Sequence, residues 1–106
     1  MTDKRIVLST AGSEDEARKI AHHLVEQRLA ACVNIVPQIE SIYRWQGNVE
    51  SSREWLLVIK TSADKFARVR DAIRELHSYE VPEILSFRVA AGLPSYLRWV
   101  AESCLV

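Results

Sequence analysis

The segment from residue 77 to residue 83 carries a dense group of side chains that could do chemistry. It places an imidazole (His77), a phenol (Tyr79) and two carboxylates (Glu80 and Glu83) within seven residues. Imidazole and carboxylate groups together suit a divalent transition metal. The spacing matches no closed structural zinc site, so a metal held here would need further ligands from elsewhere in the chain or from another subunit.

The other histidines and the cysteines are weaker candidates for chemistry. His22 and His23 are adjacent in a predicted helix, where neighbouring side chains point about 100° apart and cannot readily bind one ion. Cys32 lies in an apolar strand, where a free cysteine usually packs as a small hydrophobic residue, and the same holds for Cys104 in the last helix. Packing or solvation therefore explains these residues better than metal binding.

The sequence contains no arrangement typical of an enzyme. Ser9, Thr10, Cys32 and His77 carry groups that could act as nucleophile or base, but their spacing gives no sign that they meet. There is no glycine-rich phosphate loop, no His-Glu-x-x-His motif and no pair of catalytic carboxylates. We therefore expect a protein that is not an enzyme, with an unrecognised enzyme as the minority alternative.

Length and composition describe one globular domain over residues 1–106. Apolar residues make up 48% of the chain, and glycine and proline contribute only three residues each, which excludes disordered and low-complexity classes. Fourteen basic residues balance fourteen acidic ones, so no overall charge draws the chain to nucleic acid or to a membrane surface. Two cysteines, no apolar leader and no membrane-length run lead us to expect a cytosolic location.

The first half of the chain alternates between strand and helix patterns. A short β-branched run at 6–10 predicts a strand, and Ser13 with Glu16 three residues later predicts a capping box that starts a helix. Residues 31–36 predict a second strand that Pro37 stops or bulges. Strict alternation over 39–45, followed by the turn residues 46–48, predicts a long hairpin with the strand at 55–59.

The second half repeats the same order. Ser62 is predicted to cap a helix whose inward side carries apolar residues at helical spacing, namely Phe66, Val69, Ile73 and Leu76. Residues 84–89 predict a fourth strand, and Pro94 suits the first turn of a final short helix. The order β-α-β-β-α-β plus a C-terminal helix predicts an α+β, ferredoxin-like fold with two helices on one face of a four-stranded antiparallel sheet. Because the other face would be bare, we expect a homo-oligomer.

Four ordered stretches, at 29–35, 41–47, 77–84 and 96–99, resemble the divalent-cation tolerance protein CutA family, and the resemblance covers essentially the whole chain. It implies ferredoxin-like subunits in a tight homotrimer, similar in architecture to the PII signalling proteins, with hairpins that pair between subunits. It also implies a role in tolerance to copper and other divalent cations.

The resemblance also implies a copper site, from which this chain departs. The copper ligands proposed for a bacterial member are a cysteine at the end of the first strand and a pair of histidines before the tyrosine-containing loop. Ser9 and the pair Leu76-His77 occupy these positions here, so only His77 remains as a metal-ligand candidate.

The residues that match the family and could bind a ligand come from different elements of the predicted fold. They are expected to meet at a subunit boundary, in a cleft with aromatic walls and a few polar groups, as binding pockets usually have. The alternative for Tyr43, Trp45 and Trp99 is that they only hold the trimer together. We favour binding of a divalent metal, with a PII-like sensor of a small metabolite or anion as the alternative. The expected ligand-binding residues, beside His77, are Cys32, Tyr43, Trp45, Lys60, Tyr79, Glu83 and Trp99.

Overall fold

The chain folds in the predicted order, β-α-β-β-α-β followed by a C-terminal helix. The structure is a computed structural model and describes residues 1–105. Its four strands form one antiparallel sheet in the order β2-β3-β1-β4, which confirms the α+β fold. No helix among these residues is long and apolar enough to cross a membrane. The elements are β1 Lys4–Ala11, α1 Glu14–Glu26, β2 Cys32–Trp45, β3 Asn48–Ser62, a 3-10 turn Ala63–Lys65, α2 Phe66–Leu76, β4 Leu85–Arg88 and α3 Pro94–Ser103.

Helix α1 begins as the sequence predicts, but only half of the capping box forms. The Ser13 side chain accepts a hydrogen bond from the Glu16 N–H at 3.2 Å. The Glu16 carboxylate does not accept the hydrogen bond from the Ser13 N–H that a full capping box would have. It instead accepts hydrogen bonds from Ser78, in the loop that follows α2. The predicted core stripe of this helix is buried, namely Ala17, Ile20, Ala21 and Leu24.

Helix α2 begins differently from the prediction. Ser62 makes no side-chain capping bond, because the chain first forms the 3-10 turn and α2 starts only at Phe66. Val69 and Ile73 are fully buried, while Phe66 and Leu76 pack against the core at its margin. The core therefore lies between the two helices and one face of the sheet, where Val7, Leu57 and Ile59 are inaccessible to solvent.

Strand β2 contains a bulge at the proline that the sequence singled out. Val36 pairs with Leu56, but the next pair joins Ile39 to Glu54, so Pro37 and Gln38 together oppose one residue of β3. Gln38 adopts a left-handed backbone with φ of 53°. One extra residue in a strand reverses the alternation of side chains beyond it.

The bulge moves the second half of β2 to the other face of the sheet. Before it, Val33 and Ile35 pack against the helix-covered core. After it, Tyr43 pairs with Glu50 and Trp45 with Asn48, on the same face as Glu54. The aromatic residues of the hairpin therefore lie on the face that carries no helices from the two crossover units.

A tight turn closes the hairpin and lets it project from the body of the domain. Gln46 and Gly47 have φ of 50° and 85°, which matches a type I′ turn and its preference for glycine. The molecule measures 44 × 25 × 22 Å, so its long axis is nearly twice either other dimension. The hairpin tip is exposed to solvent.

We predict that the bulge is sensitive to the backbone preference of residue 38. Gln38 is exposed, so a substitution there changes the cost of the left-handed conformation more than it changes packing. Gln38→Val should lower the free energy of unfolding by about 1–2 kcal/mol, because a β-branched residue resists positive φ. Gln38→Asn is the matched control and should keep it, since asparagine tolerates this region. Urea unfolding of both variants measures the difference, and equal stabilities would contradict it.

Candidate functional site

The loop between α2 and β4 is fastened to the end of β1 by His77. The His77 ring is inaccessible to solvent, and its Nε2 lies 2.6 Å from the Thr10 carbonyl oxygen. Its Nδ1 accepts a hydrogen bond from the Tyr79 N–H at 3.0 Å. Because Nδ1 accepts, Nε2 carries the proton and donates to Thr10. His77 is thus a neutral bridge between a strand and a loop, a packing role that the sequence did not indicate.

Glu16 fastens the same loop to helix α1. Its carboxylate accepts hydrogen bonds from the Ser78 N–H at 2.6 Å and from the Ser78 hydroxyl at 3.1 Å. Hydrogen bonds to a charged acceptor are stronger than those between neutral groups. Two elements, β1 and α1, therefore position the start of the loop, and with it the side chain of Tyr79.

Tyr79 reaches across the sheet to a buried carboxylate. Its hydroxyl donates to Glu54 Oε2 at 2.7 Å, and Glu54 is only 7% exposed. Desolvation by burial, followed by the hydrogen bond to Glu54, raises the pKa of the Tyr79 phenol above its usual value near 10. Gly12 makes the contact sterically feasible, since a Cβ at that position would lie 2.8 Å from the Tyr79 hydroxyl oxygen.

Tyr79, the hairpin and the following loop enclose a cavity of about 630 Å³. This volume is in the range of small-molecule sites. The wall combines aromatic rings and hydroxyl groups with four carboxylates, and no lysine or arginine lines it. The lining residues are Thr10, Ser41, Ile42, Tyr43, Trp45, Glu50, Glu54, Tyr79, Glu80, Val81 and Glu83.

The structure brings together four of the predicted ligand-binding residues within one chain. Tyr43, Trp45, Tyr79 and Glu83 line the cavity, and the Tyr43 and Ser52 hydroxyls share a hydrogen bond of 2.5 Å. These residues come from β2 and from the loop after α2, which the sequence analysis expected to meet only at a subunit boundary.

The other three predicted residues lie at the opposite end of the sheet. Cys32 pairs with Lys60, and both reach Asn34, whose side-chain oxygen binds the Lys60 ammonium and lies 3.8 Å from the Cys32 sulfur. Trp99 stacks against Tyr96 on α3, with ring centroids 5.5 Å apart. Lys60 lies six positions along β3 from Glu54, a span of about 20 Å. Within one chain these three residues therefore lie apart from the cavity, and the cleft expected at a subunit boundary stays a prediction.

The metal site implied by the family resemblance does not fit the side chains of one chain. Among residues 1–105, no group of three or more histidine, cysteine, aspartate or glutamate side chains could hold a metal ion. Ser9 is enclosed in the core, and its hydroxyl has no hydrogen-bond partner in the described structure. Both His77 nitrogens already hydrogen bond within the chain, so binding a metal would break one of these bonds.

The sequence analysis did not single out Glu54 or Glu50, and it gave Glu16 and Thr10 other roles than positioning this loop. In the sequence, Glu54 and Glu50 belong to a polar stretch before an apolar strand, which is typical of a solvated hairpin. Only the register that places Glu54 opposite Ile39, and the loop that covers it with Tyr79, shows that this carboxylate is buried. The capping-box pattern assigned the Glu16 side chain to the Ser13 N–H, so the pattern gave no reason to expect its bonds to Ser78.

Comparisons with known proteins agree with the fold and with the motifs. The family model described as "CutA1 divalent ion tolerance protein" matches residues 5–103. The chain is 49% identical over 100 residues to the divalent-cation tolerance protein CutA of Thermus thermophilus, covering 94% of this chain and 97% of the relative. It is 45% identical to the protein CutA homolog of Xenopus laevis over 88% of this chain, but spans only 62% of that relative's length.

Solved structures show the same architecture. The crystal structure of CutA from Xylella fastidiosa superimposes with a TM-score of 0.95 at 38% identity, covering 97% of this chain and 99% of that one. The structure of the Thermus thermophilus protein gives a TM-score of 0.92 over 94% of this chain and 97% of that one.

We predict that the Tyr79 phenol contributes to the pH dependence of stability. Its raised pKa means that the folded protein holds the phenolic proton more tightly than the unfolded chain does. Stability should therefore fall as the pH rises above about 10, by up to a tenfold change in the unfolding equilibrium constant per pH unit. Tyr79→Phe removes this contribution, so unfolding curves at pH 9 and pH 11 should differ less for the variant. Equal losses in both proteins would contradict the assignment.

Proposed function

Because the chain belongs to the CutA1 divalent ion tolerance protein family, we propose that it acts in the tolerance of divalent cations as a homotrimer that binds a small ligand between its subunits. The observation that carries this proposal is the divided site. Tyr43, Trp45, Tyr79 and Glu83 line a cavity at one end of the sheet. Cys32 and Lys60 pair at the other end, where the helix that carries Trp99 packs against Ala31. Two copies of the chain can bring these ends together, whereas one copy cannot.

The exposed apolar side chains support self-association. Leu85 and Phe87 on the edge strand β4 are 51% and 50% exposed. Ile42 and Val49 on the hairpin have larger exposed fractions, 69% and 66%. An edge strand that presents apolar residues and unpaired backbone groups is a site for pairing with another chain. Trp99 on α3 is also about half exposed, so its ring is available for contact with a neighbouring subunit.

The proposed cleft has a distinct chemical character on each side. One subunit contributes the aromatic and acidic wall around Tyr79 and Glu83. Its neighbour contributes the Cys32 thiol, the Lys60 ammonium and the Trp99 ring. We propose a cytosolic location, since the chain has only two cysteines, too few for a disulfide framework. In this arrangement His77 orients the loop that carries Tyr79.

A PII-like sensor of a small metabolite is the second candidate. The cavity is large enough for a metabolite, and the described residues offer no three-ligand group for a metal ion. In that case the response to divalent cations would follow from ligand-dependent signalling and not from tight metal binding.

We predict that the protein is a trimer in solution. Size-exclusion chromatography with light scattering should give about three times the chain mass of 12.1 kDa at micromolar concentration. Phe87→Glu places a charge on the exposed edge strand and should shift the population towards smaller species. Arg88→Gln, one residue away, changes the net charge by the same one unit and is the matched control. A stable wild-type monomer would contradict the proposal.

We predict saturable ligand binding that depends on residues from both ends of the sheet. Calorimetric titration should use CuCl2 and, separately, a panel of nucleotides, amino acids and dicarboxylates. Trp99→Leu and Trp45→Leu should each weaken binding by about tenfold, or about 1.4 kcal/mol, whereas Lys19→Met on the outside of α1 should not. Tight copper binding favours the metal role, and metabolite binding with loose copper binding favours the sensor. A trimer that binds none of these ligands would contradict both.

A further inference from the structure

The cavity beside Tyr79 carries an unbalanced negative charge. Four of its lining residues are glutamates, and none of the residues that line it is basic. The proposed cleft would add the ammonium of one lysine from a neighbouring copy, which leaves the excess of negative charge in place. An anionic ligand would meet this wall with unfavourable electrostatics.

Glu54 is the innermost of these carboxylates and is only partly satisfied. Its residue surface is 93% buried, and its Oε2 atom accepts a hydrogen bond from the Tyr79 hydroxyl. Within residues 1–105, no hydrogen bond to its Oε1 atom is present, although Glu54 lines the cavity. The Oε1 atom is not fully buried and is accessible from the cavity, where a cationic ligand with an N–H group would supply both a donor and the opposite charge.

Aromatic rings complete the wall around this carboxylate. Tyr43, Trp45 and Tyr79 all line the cavity and are 38–41% exposed, so their surfaces are available to a ligand. Aromatic faces attract cations, and they bind ammonium groups most strongly where water is excluded. The combination of ring faces with a buried carboxylate suits an organic ammonium group.

The same geometry disfavours a bare metal ion in this cavity. A divalent ion needs several ligands converging within about 2.0–2.6 Å, and the described residues provide no group of three acidic, histidine or cysteine side chains placed for this. A ligand several atoms long, in contrast, can place separate contacts against carboxylates that are spread along a wall of this size.

We propose that this cavity binds small organic cations that carry a primary ammonium group, with the ammonium donating to Glu54 Oε1 and lying against the aromatic rings. The inference rests on the proposed function, since it names the ligand class of the same cleft. It assigns the acidic wall to the recognition of positive charge on an organic molecule and not to the coordination of a metal ion.

The test uses the full chain in its native assembly and compares 1,4-diaminobutane with succinate, a dianion of similar length, and with CuCl2. Calorimetry should show saturable binding of the diamine that weakens as salt is added. Glu54→Gln should weaken it by about tenfold, and Glu50→Gln, at an exposed position of the cavity wall, by several-fold. Glu75→Gln on α2 removes the same charge outside the cavity and should leave binding unchanged. If Glu54→Gln fails to fold, the comparison of diamine affinity between Glu50→Gln and Glu75→Gln tests the proposal instead.

Four results would overturn the inference. Binding of succinate without binding of the diamine would do so while leaving a small-ligand function of the cleft intact. Copper bound in preference to the diamine, and weakened by the same glutamate variants, would replace the organic cation with a metal. Diamine binding that Glu50→Gln and Glu75→Gln weaken equally would show only attraction to an acidic surface. Failure of every ligand on an intact trimer would remove the proposed ligand-binding function as well.

Discussion

The bulge at Pro37 and Gln38 is the constraint on which the rest of the site depends. Strand side chains alternate with a period of two, so the single extra residue decides which face the outer half of the hairpin presents. Without it, Tyr43 and Trp45 would continue on the side of Val33 and Ile35, beneath the helices. With it, they join Glu54 on the open face and form one wall of a cavity.

The second wall is positioned by hydrogen bonds that cross the fold. His77 bridges the loop to the Thr10 carbonyl, and Glu16 holds Ser78, so both β1 and α1 fix where the loop begins. Tyr79 can then satisfy one oxygen of the buried Glu54 carboxylate, which would otherwise be costly to remove from water. Local structure in three elements thus converges on one polar contact, which ties the loop to β3 and positions Tyr79 in the wall of the cavity.

In the proposed trimer, the division of the predicted ligand residues between two ends of the sheet would couple ligand binding to assembly. A site completed by a second copy would be present only in the oligomer, so a ligand that occupies it would stabilise the assembled state by mass action. The exposed apolar surface on β4 and the hairpin would give the same assembly a driving force independent of ligand. The acidic wall would then select among ligands by charge, since opposite charges gain most where the surroundings are partly desolvated.

The sequence by itself determined the order of the elements, the core stripe of α1, the turn at Gln46 and Gly47, and the irregularity at Pro37. These features depend on residues close together in the chain, where helical and strand periodicity and the backbone preferences of proline and glycine act directly. The family motifs likewise identified Tyr43, Trp45, Tyr79 and Glu83. Only the tertiary structure decided that these four line one cavity, that Cys32, Lys60 and Trp99 lie elsewhere, and that His77 is a buried bridge. It also revealed Glu54, because burial of a single carboxylate depends on strand register and on a loop 25 residues away in the chain, and no local pattern records either.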